Sequence, residues 1–350
     1  MTAPAVSVVV ISYNYAEYVG RAIDSVLAQD DPPEEILVVD DGSTDRSAEV
    51  IRGYGDRVRA VFKDNGGNAS VVNAAVPLTR GDLVMFLDAD DTLAPGAVGR
   101  VRAAWRPGAA KVQFRLTLVD AEGRRQGVDP PEHVALPSGD VLADLARYGR
   151  YVTPVTSGNA FSRAALERIL PIPEDEFRNT NDGYLNPMLA FCGPVVSIDE
   201  ELGAYRMHGR NLWAFSGAVT PERLHERLRH DLARQRHLLD AARRSGRALP
   251  KQVMLRSAEH VLVRAGSLRW DRPAHPVPGD RLGLLLVAGA RAIPRDPELG
   301  AARKVFALGV LVAQVAAPRG VARWALNAAL SSTPKPAWVR AVARVLRRAR

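Results

Sequence analysis

Leu83-Val84-Met85-Phe86-Leu87 runs directly into Asp88-Ala89-Asp90-Asp91. An unbroken apolar run of this kind reads as a strand buried on both faces, the situation of strands in a sheet covered by helices. Carboxylates then crowd the point where the strand emerges. In open α/β sheets ligands gather outside the carboxyl ends of the strands. The stretch therefore predicts an acidic, oxygen-donating site for a divalent cation, built on a sheet edge.

Working outward, the first half alternates strand and helix signals. Val6 to Ile11 is a β-branched strand. Tyr18, Val19, Ala22, Ile23, Val26 and Leu27 recur at helical spacing, and Pro32-Pro33 stops that helix. Ile36-Leu37-Val38-Val39 is a second buried strand, closed by Asp40-Asp41-Gly42-Ser43, with Ser43 or Thr44 placed to cap a helix reaching about Gly53. A third strand covers Val58 to Phe62, a helix Ser70 to Leu78, and Leu83 to Leu87 is the fourth strand. This alternation predicts an α/β fold with a mostly parallel sheet flanked by helices.

After Pro107 the pattern loosens. Lys111 to Asp120, Val155 to Phe161, Val195 to Ile198 and Leu202 to Met207 read as strands, and Ala164 to Leu170 as a short helix. Asp182 to Phe191 reads as another helix, with Pro187 suggesting that regular helix starts near it. From Thr220-Pro221-Glu222, a cap with proline at the first helical position, the chain turns wholly helical. Leu224, Leu228, Leu232 and Leu239 form its first apolar stripe. Further helices are expected near 250–269, 280–293, 298–317, 320–330 and 336–349. The expected division is 1–215 for the α/β domain and 216–350 for an all-α C-terminal domain.

The bulk numbers fit two ordinary domains: 350 residues, 47% hydrophobic, 25% charged. One cysteine, Cys192, excludes an internal disulfide, fits a reducing compartment, and is expected to be a buried small hydrophobe. The first residues lack the basic start of a signal peptide, and no run reaches the ~18 apolar residues of a membrane span. The net charge of +8 belongs to the tail. Residues 301–350 carry ten Lys and Arg and no acid, leaving 37 basic and 39 acidic residues elsewhere.

Asp40-Asp41 and Asp88-Ala89-Asp90-Asp91 both end buried strands. Two acidic clusters on one sheet edge repel each other unless a cation, or donors such as a ribose and a base N–H, relieve them. Mg²⁺ and Mn²⁺ prefer carboxylate and phosphate oxygens and often share carboxylates with substrate phosphates. The plainer alternative is turn chemistry, in which Asp and Gly are ordinary residues.

Taken together, Val8-Val9-Val10-Ile11-Ser12-Tyr13-Asn14, Leu37-Val38-Val39-Asp40-Asp41-Gly42-Ser43-Thr44-Asp45, Asn65-Gly66-Gly67 with Asn73, and Gly81-Asp82 followed by Phe86-Leu87-Asp88-Ala89-Asp90-Asp91 resemble the family 2 glycosyltransferases of the GT-A fold. The order and spacing match across roughly residues 5–210. The resemblance implies a Rossmann-like GT-A domain and an inverting, metal-dependent, hexosyltransferase-like enzyme. It implies that Ser12 and Tyr13 line the nucleotide pocket, with Tyr13 against the base. Asp40 or Asp41 would accept from the base N–H, Asp88 would face the ribose or the metal, and Asp90 would bind the metal, Mn²⁺ or Mg²⁺, that bridges the diphosphate. Asn73 belongs to the same nucleotide-sugar set. The family usually places an Arg before that Asn; here the residues are Val71-Val72-Asn73, so one cationic phosphate contact is missing or comes from elsewhere.

Asn181-Asp182-Gly183 falls where the family has an acidic pair opening a helix, its second acid being the general base. Asp182 matches it, Asn181 replaces the first acid, and the plainer reading is an Asp capping a helix. Glu174, Asp175 and Glu176 are fallback bases, expected in a loop. Tyr205-Arg206-Met207-His208-Gly209-Arg210 resembles the family's Tyr-Arg-x-His segment, which makes His208 a metal ligand or a diphosphate contact and gives Arg206 and Arg210 to phosphate. His225, His230 and His237 read as solvated.

The implied partners are a nucleotide-diphosphate-sugar donor, a UDP-sugar by preference, and a glycan or lipid-linked hydroxyl acceptor in cell-surface polysaccharide or glycolipid assembly. Basic amphipathic segments in 301–350, with Trp324 and Trp338 on the apolar side, suit either an anionic membrane surface or packing on the catalytic domain. A cytoplasmic protein, peripheral on the inner face of the plasma membrane, is the matching location. No nucleic-acid motif accompanies the charge. Two rivals stand beside this reading. One is a non-catalytic nucleotide-sugar or glycan binding protein acting through its helical tail. The other is a nucleotidyltransferase, which lacks here its Gly-rich phosphate loop.

Overall fold

The computed structural model describes residues 3–208, 219–255, 257–296 and 299–330. They fall into two compact units. The first takes the described residues up to Ala143 together with Tyr151–His208; the second takes Asp144–Arg150 and the described residues from 219 onward. The boundary expected near 215 and the helix expected at 336–349 lie outside the described residues.

The first unit follows the order β1 (Val6–Ser12), α1 (Val19–Leu27), β2 (Glu35–Asp40), α2 (Ser47–Arg52), β3 (Arg59–Phe62), α3 (Asn68–Ala75), β4 (Leu83–Asp88), β5 (Thr92–Leu93) and α4 (Ala97–Ala104). The chain continues with β6 (Lys111–Asp120), β7 (Arg125–Asp129), α5 (Leu142–Tyr148), most of which belongs to the second unit, and then β8 (Asn159–Ser162), α6 (Arg163–Glu167), α7 (Glu174–Phe177), α8 (Asn181–Leu189) and β9 (Val195–Met207) of the first. The strands form one sheet in the order β3-β2-β1-β4-β8-β6-β9-β5, with β7 on β6. The first four are parallel, as the strand–helix alternation requires. Beyond β4 the sheet is mixed: β8 runs antiparallel to β4 and β6, while β9 runs parallel to β6.

Val8, Val9, Val10, Leu37, Val38, Leu83 and Val84 are fully buried, so the central strands are covered on both faces. Burying each such side chain contributes roughly 1.5–3 kcal/mol. Val19, Ala22, Ile23 and Val26 give α1 its buried stripe at helical spacing. Register then does the functional work. Ser12 pairs with Asp40, and Ile11 pairs with Asp88. The carboxyl ends of β1, β2 and β4 therefore coincide at one edge, and both acidic clusters stand there.

Several local expectations are corrected. The two strands expected at 195–198 and 202–207 are one strand, β9, whose register against β6 shifts around Arg115 to absorb Asp199-Glu200. Helix α8 begins at Asn181, with Pro187 inside it and not at its start. Helix α2 begins at Ser47, because the Asp45 side chain, not Ser43 or Thr44, accepts from the Ser47 N–H at 2.9 Å. Helix α1 stops at Leu27, well before Pro32. Glu174, Asp175 and Glu176 form the turn of α7, not a loop. Cys192 is half-buried.

The second unit comprises α9 (Pro221–Arg244), α10 (Ala258–Trp270), α11 (Leu282–Arg295), α12 (Ala301–Ala316) and α13 (Arg319–Leu330). Thr220 caps α9 with its side chain on the Arg223 N–H, and Pro221 opens the helix. Helix α10 packs against α9, α11, α12 and α13, and Val261, Leu262, Val263 and Ala265 are buried on every side of it. His225 is buried on α9, contrary to its expected solvation. Among the described residues no helix is long and apolar enough to cross a membrane.

Candidate active site

Strand β1 hands the chain to Asn14, which sits in the left-handed region with φ 56°. Among non-glycine residues Asn tolerates this region best. Its side-chain oxygen accepts from the Thr44 N–H at 2.8 Å, and its own N–H donates to Ser43 Oγ at 2.9 Å. Asn14 thus clamps the loop after β2 beside the end of β1. Between them stand Ser12, fully buried with its hydroxyl unpartnered among the described residues, and Tyr13, 41% exposed.

Asp40 and Asp41 are both buried, but they differ in spare capacity. Asp41 Oδ1 accepts from Lys63 Nζ at 2.7 Å and the Gly66 N–H at 2.9 Å. Its Oδ2 accepts from Asn65 Nδ2 at 3.1 Å and the Gly67 N–H at 2.6 Å. A carboxylate oxygen offers about two lone-pair sites, so Asp41 is saturated by the loop it organises. Asp40 spends one site on each oxygen, on the Ser43 hydroxyl at 2.6 Å and the Ser43 N–H at 3.0 Å. Gly67, with φ 84°, is required in that loop, because a Cβ there would meet the Arg178 carbonyl oxygen at 2.4 Å.

The β4 cluster divides the same way. Asp91 Oδ2 accepts from Ser157 Oγ at 2.6 Å and Oδ1 from the Arg206 N–H at 2.9 Å, which fixes Asp91 as a brace between strands. Asp90 Oδ2 lies 2.8 Å from His208 Nε2. The His208 ring stacks on Tyr18 at 5.4 Å between centroids and meets Tyr15 edge-on at 5.5 Å. Burial, together with the charges of Asp90 and Asp182, pushes the Asp88 carboxyl up to about 8. Burial and the charges of Asp90 and Asp88 raise Asp91 well above the usual range. The ionised forms of these carboxyls are therefore disfavoured at this edge.

Helix α8 brings in the remaining acid. Asn181 Oδ1 accepts from Thr156 Oγ1 at 2.9 Å and from the Asp182 N–H at 2.6 Å. Asp182 stands in the first turn of α8 and accepts from the Gly183 N–H at 2.7 Å. Acids are favoured at that helix end. Its charge nonetheless bears on Asp88, which puts the two carboxylates within electrostatic range of each other.

Two expected contacts are directed elsewhere. Arg206 is buried, with its guanidinium donating to the carbonyls of Asp90 at 3.0 Å and Ala121 at 3.1 Å, so it braces the site. Arg210 lies outside the described residues. Asn73 stands apart: its amide donates to the Ile172 carbonyl at 2.9 Å and accepts from the Ile172 N–H at 2.7 Å.

Comparison with known proteins agrees with this geometry. A family model described as glycosyl transferase family 2 matches residues 7–170. An uncharacterised glycosyltransferase of Nostoc is 34% identical over 223 residues, covering 62% of this chain and 69% of that protein. The chain belongs to glycosyltransferase family 2. A chondroitin synthase of Pasteurella multocida is 45% identical over 98 residues, 27% of this chain but 10% of the synthase, so the chain spans a small part of that relative. Among solved structures, S. aureus TarS 1–349 in complex with UDP-GlcNAc superposes with a TM-score of 0.53 at 17% identity, over 93% of this chain and 90% of that one. The mannosyltransferase PcManGT of Pyrobaculum calidifontis, in complex with GDP-Man and Mn²⁺, gives 0.52 at 18% identity, over 94% and 86%. At such identities the likeness is one of fold, the GT-A fold.

In this glycosyltransferase the donor set fits a divalent cation in part. Among the described residues no three His, Cys, Asp or Glu side chains form a closed ligand group. Asp90 and His208 make a pair beside uncompensated acid, which suits an ion that completes its shell with phosphate oxygens and water. Residues that pattern reading left without a role are Asn14, Asp45, Ser157 and Lys111. For Asn14 the signal was available, since Asn after a strand is a frequent left-handed residue. For Ser157 and Lys111 there was none.

Proposed function

We propose that this family 2 enzyme transfers a sugar, with inversion, from a nucleotide-diphosphate-sugar to a hydroxyl acceptor in cell-surface polysaccharide or glycolipid assembly. The observation that supports the reading is that Asp88 and the Asp90–His208 pair follow the edge where β1, β2 and β4 end, with Asp182 in electrostatic range of Asp88. Catalysis is assigned to residues 1–215.

Asp182 takes the acceptor's proton as the hydroxyl oxygen attacks the anomeric carbon and the bond to the diphosphate breaks. Asp40, with acceptor capacity to spare, takes the base N–H, and exposed Tyr13 lies against the base. Asp88 faces the ribose. Asp90 and His208 would hold Mn²⁺ or Mg²⁺, whose contribution is Lewis-acid stabilisation of the leaving diphosphate. A UDP-sugar is the favoured donor, supported by the fold likeness to a UDP-GlcNAc complex; the GDP-Man complex makes GDP-sugars the second choice to test. The chondroitin synthase relative supports a glycan acceptor.

A peripheral contact with the inner face of the plasma membrane completes the reading. It is supported by Leu284 and Val287 on α11 and Val305 and Val312 on α12, all at least half exposed, with Arg281, Arg291 and Arg303 exposed on the same elements or next to them. A screen of nucleotide-sugars for nucleotide release, with and without Mn²⁺, tests the function. Release from at least one donor, dependent on the metal and lost in Asp90→Asn, is expected. Tight nucleotide binding with no turnover of any donor would return the protein to a binding role.

A further inference from the structure

Lys111 opens β6 and has no solvent exposure. Lysine is almost never fully buried without a partner that answers its charge. Here Nζ donates to Thr153 Oγ1, Asn159 Oδ1 and Asn186 Oδ1, each at 2.7 Å. An ammonium has three donors and no acceptor, so the pocket matches the charged form hydrogen for hydrogen. The two amide oxygens, Asn159 Oδ1 and Asn186 Oδ1, can only accept, so two of the bonds require Nζ to donate. The nitrogen also lies 5.1 Å from the centre of the Tyr151 ring, a cation–π contact. Tyr151 in turn donates its hydroxyl to the Asn186 carbonyl at 2.9 Å. Burial pushes the Lys111 pKa well down, and the carboxylate that opposes this is Asp182.

Asn186 follows Asp182 by one helical turn on the same face of α8. That turn is weakly tied on its own account. Pro187 has no N–H to give to the Gly183 carbonyl, so the ladder lacks a bond where the carboxylate sits. One residue before that gap, the Asn186 side chain is held by Lys111. Asn181, gripped by Thr156, holds the other end.

We infer that Lys111 is a positioning residue for the transfer step: through Asn186 its buried ammonium fixes the first turns of α8 and sets the Asp182 carboxylate against the acceptor hydroxyl. This rests on Asp182 being the base. Lys111 touches no substrate, so its effect should appear in turnover and not in donor binding.

The test compares Lys111→Met, Asn186→Ala, Asp182→Asn and the double variant Lys111→Met/Asp182→Asn with wild type. The readout is nucleotide diphosphate release from UDP-N-acetylglucosamine or GDP-mannose, whichever the wild type turns over faster. Expected for Lys111→Met is a kcat lower by about tenfold or more, as for a misplaced catalytic group, with donor KM within about twofold. The double variant should be no slower than Asp182→Asn, because Lys111 acts through Asp182. Asn186→Ala should give the same pattern more weakly, and it carries the test if Lys111→Met does not fold. Wild-type kcat in both Lys111→Met and Asn186→Ala, with Asp182→Asn inactive, overturns this inference and leaves the base assignment standing. Losses that multiply in the double variant also overturn it. Full activity in Asp182→Asn removes the base assignment and this inference together.

Discussion

His208 Nε2 stands 2.8 Å from Asp90 Oδ2, and its ring is held between Tyr18 and Tyr15. If the proposed metal site holds, these contacts set both groups towards the same ion. Asp90→Asn keeps the shape and removes the charge. It is expected to lower kcat by about a hundredfold or more, the scale of losing an electrostatic stabiliser of the transition state, with an unchanged circular dichroism spectrum. His208→Ala is expected to lose less and to need more Mn²⁺ for half-maximal rate. Near wild-type turnover in Asp90→Asn would sink the metal-site assignment.

Burial and neighbouring carboxylates make the ionised forms of Asp88 and Asp91 costly, a cost that a bound cation would relieve. A cation that binds only the folded form stabilises it by about 2.7 kcal/mol at one hundred times its Kd. Mn²⁺ is therefore expected to raise the melting temperature of wild type and to leave that of Asp90→Asn nearly unchanged. Calorimetric melts with Mn²⁺ and with EDTA decide the point. An equal rise in both proteins would mean that the ion binds somewhere else.

What the sequence disclosed and what it withheld divide along physical lines. Val6–Ser12, Glu35–Asp40 and Leu83–Asp88 were legible because strands buried on both faces are continuously apolar, and acids can only follow where such a strand emerges. The family resemblance rests on those same strand ends. Strand β9 was not legible as one piece, because Asp199-Glu200-Glu201 interrupts its apolar pattern while the register shift keeps it in the sheet. Lys111 was invisible for the opposite reason: a lysine reads as surface, and only the three oxygens gathered from Thr153, Asn159 and Asn186 make its burial tolerable. Arg206 was assigned to phosphate by its position in a motif, and the bracing bonds from its Nε and Nη1 to the carbonyls of Asp90 and Ala121 left no mark in the sequence.

Gly67 and Asn14 shape the loops around the nucleotide edge by backbone conformation, not by charge. Gly67→Ala combines a positive φ with a Cβ 2.4 Å from the Arg178 carbonyl oxygen. It is expected to cost about 1–3 kcal/mol and to weaken UDP binding in isothermal calorimetry, because the Asn65–Gly67 loop loses its grip on Asp41. Asn14→Ala should do the same through the loss of the Thr44 contact. UDP affinity unchanged in both variants would separate these loops from the nucleotide site.

Helices α11 and α12 carry exposed apolar side chains, and exposed arginines stand on the same helices or next to them in sequence, a combination suited to an anionic bilayer surface. Basic residues near such a surface contribute about 1 kcal/mol each. The protein is expected to sediment with phosphatidylglycerol-containing vesicles and not with phosphatidylcholine ones. Leu284→Ser/Val287→Ser/Val305→Ser should reduce sedimentation severalfold and leave turnover of a water-soluble acceptor intact. No sedimentation, or equal sedimentation with both vesicle types, would remove the membrane from the proposed function.

Asp231 on α9 is wholly enclosed and faces His260 on α10, with Oδ2 2.6 Å from Nε2. His260 Nδ1 lies 2.6 Å from Ser257 Oγ, the cap of α10, so the pair ties two helices at their core. Burial opposes the ionisation of Asp231, but the charges of His260, Arg227 and Arg234 outweigh it and hold the carboxyl well below the usual range. A carboxylate with a depressed folded pKa contributes stability that is complete above its unfolded value, about 3.9, and is lost as pH falls towards the folded value. Asp280, bound by Arg264 and His275, is shifted in the same direction and adds to the effect. The helical unit is therefore expected to weaken progressively below about pH 4. Asp231→Asn removes one partner and leaves buried cations uncompensated, at a cost of about 3–5 kcal/mol near neutrality. It should also flatten the acid dependence, since the group that titrates is gone. Far-UV circular dichroism melts from neutral pH to below pH 4 test both statements. An Asp231→Asn protein as stable as wild type at pH 7, or one with the same acid slope, would show that the Asp231–His260 pair does not govern the stability of the helical unit.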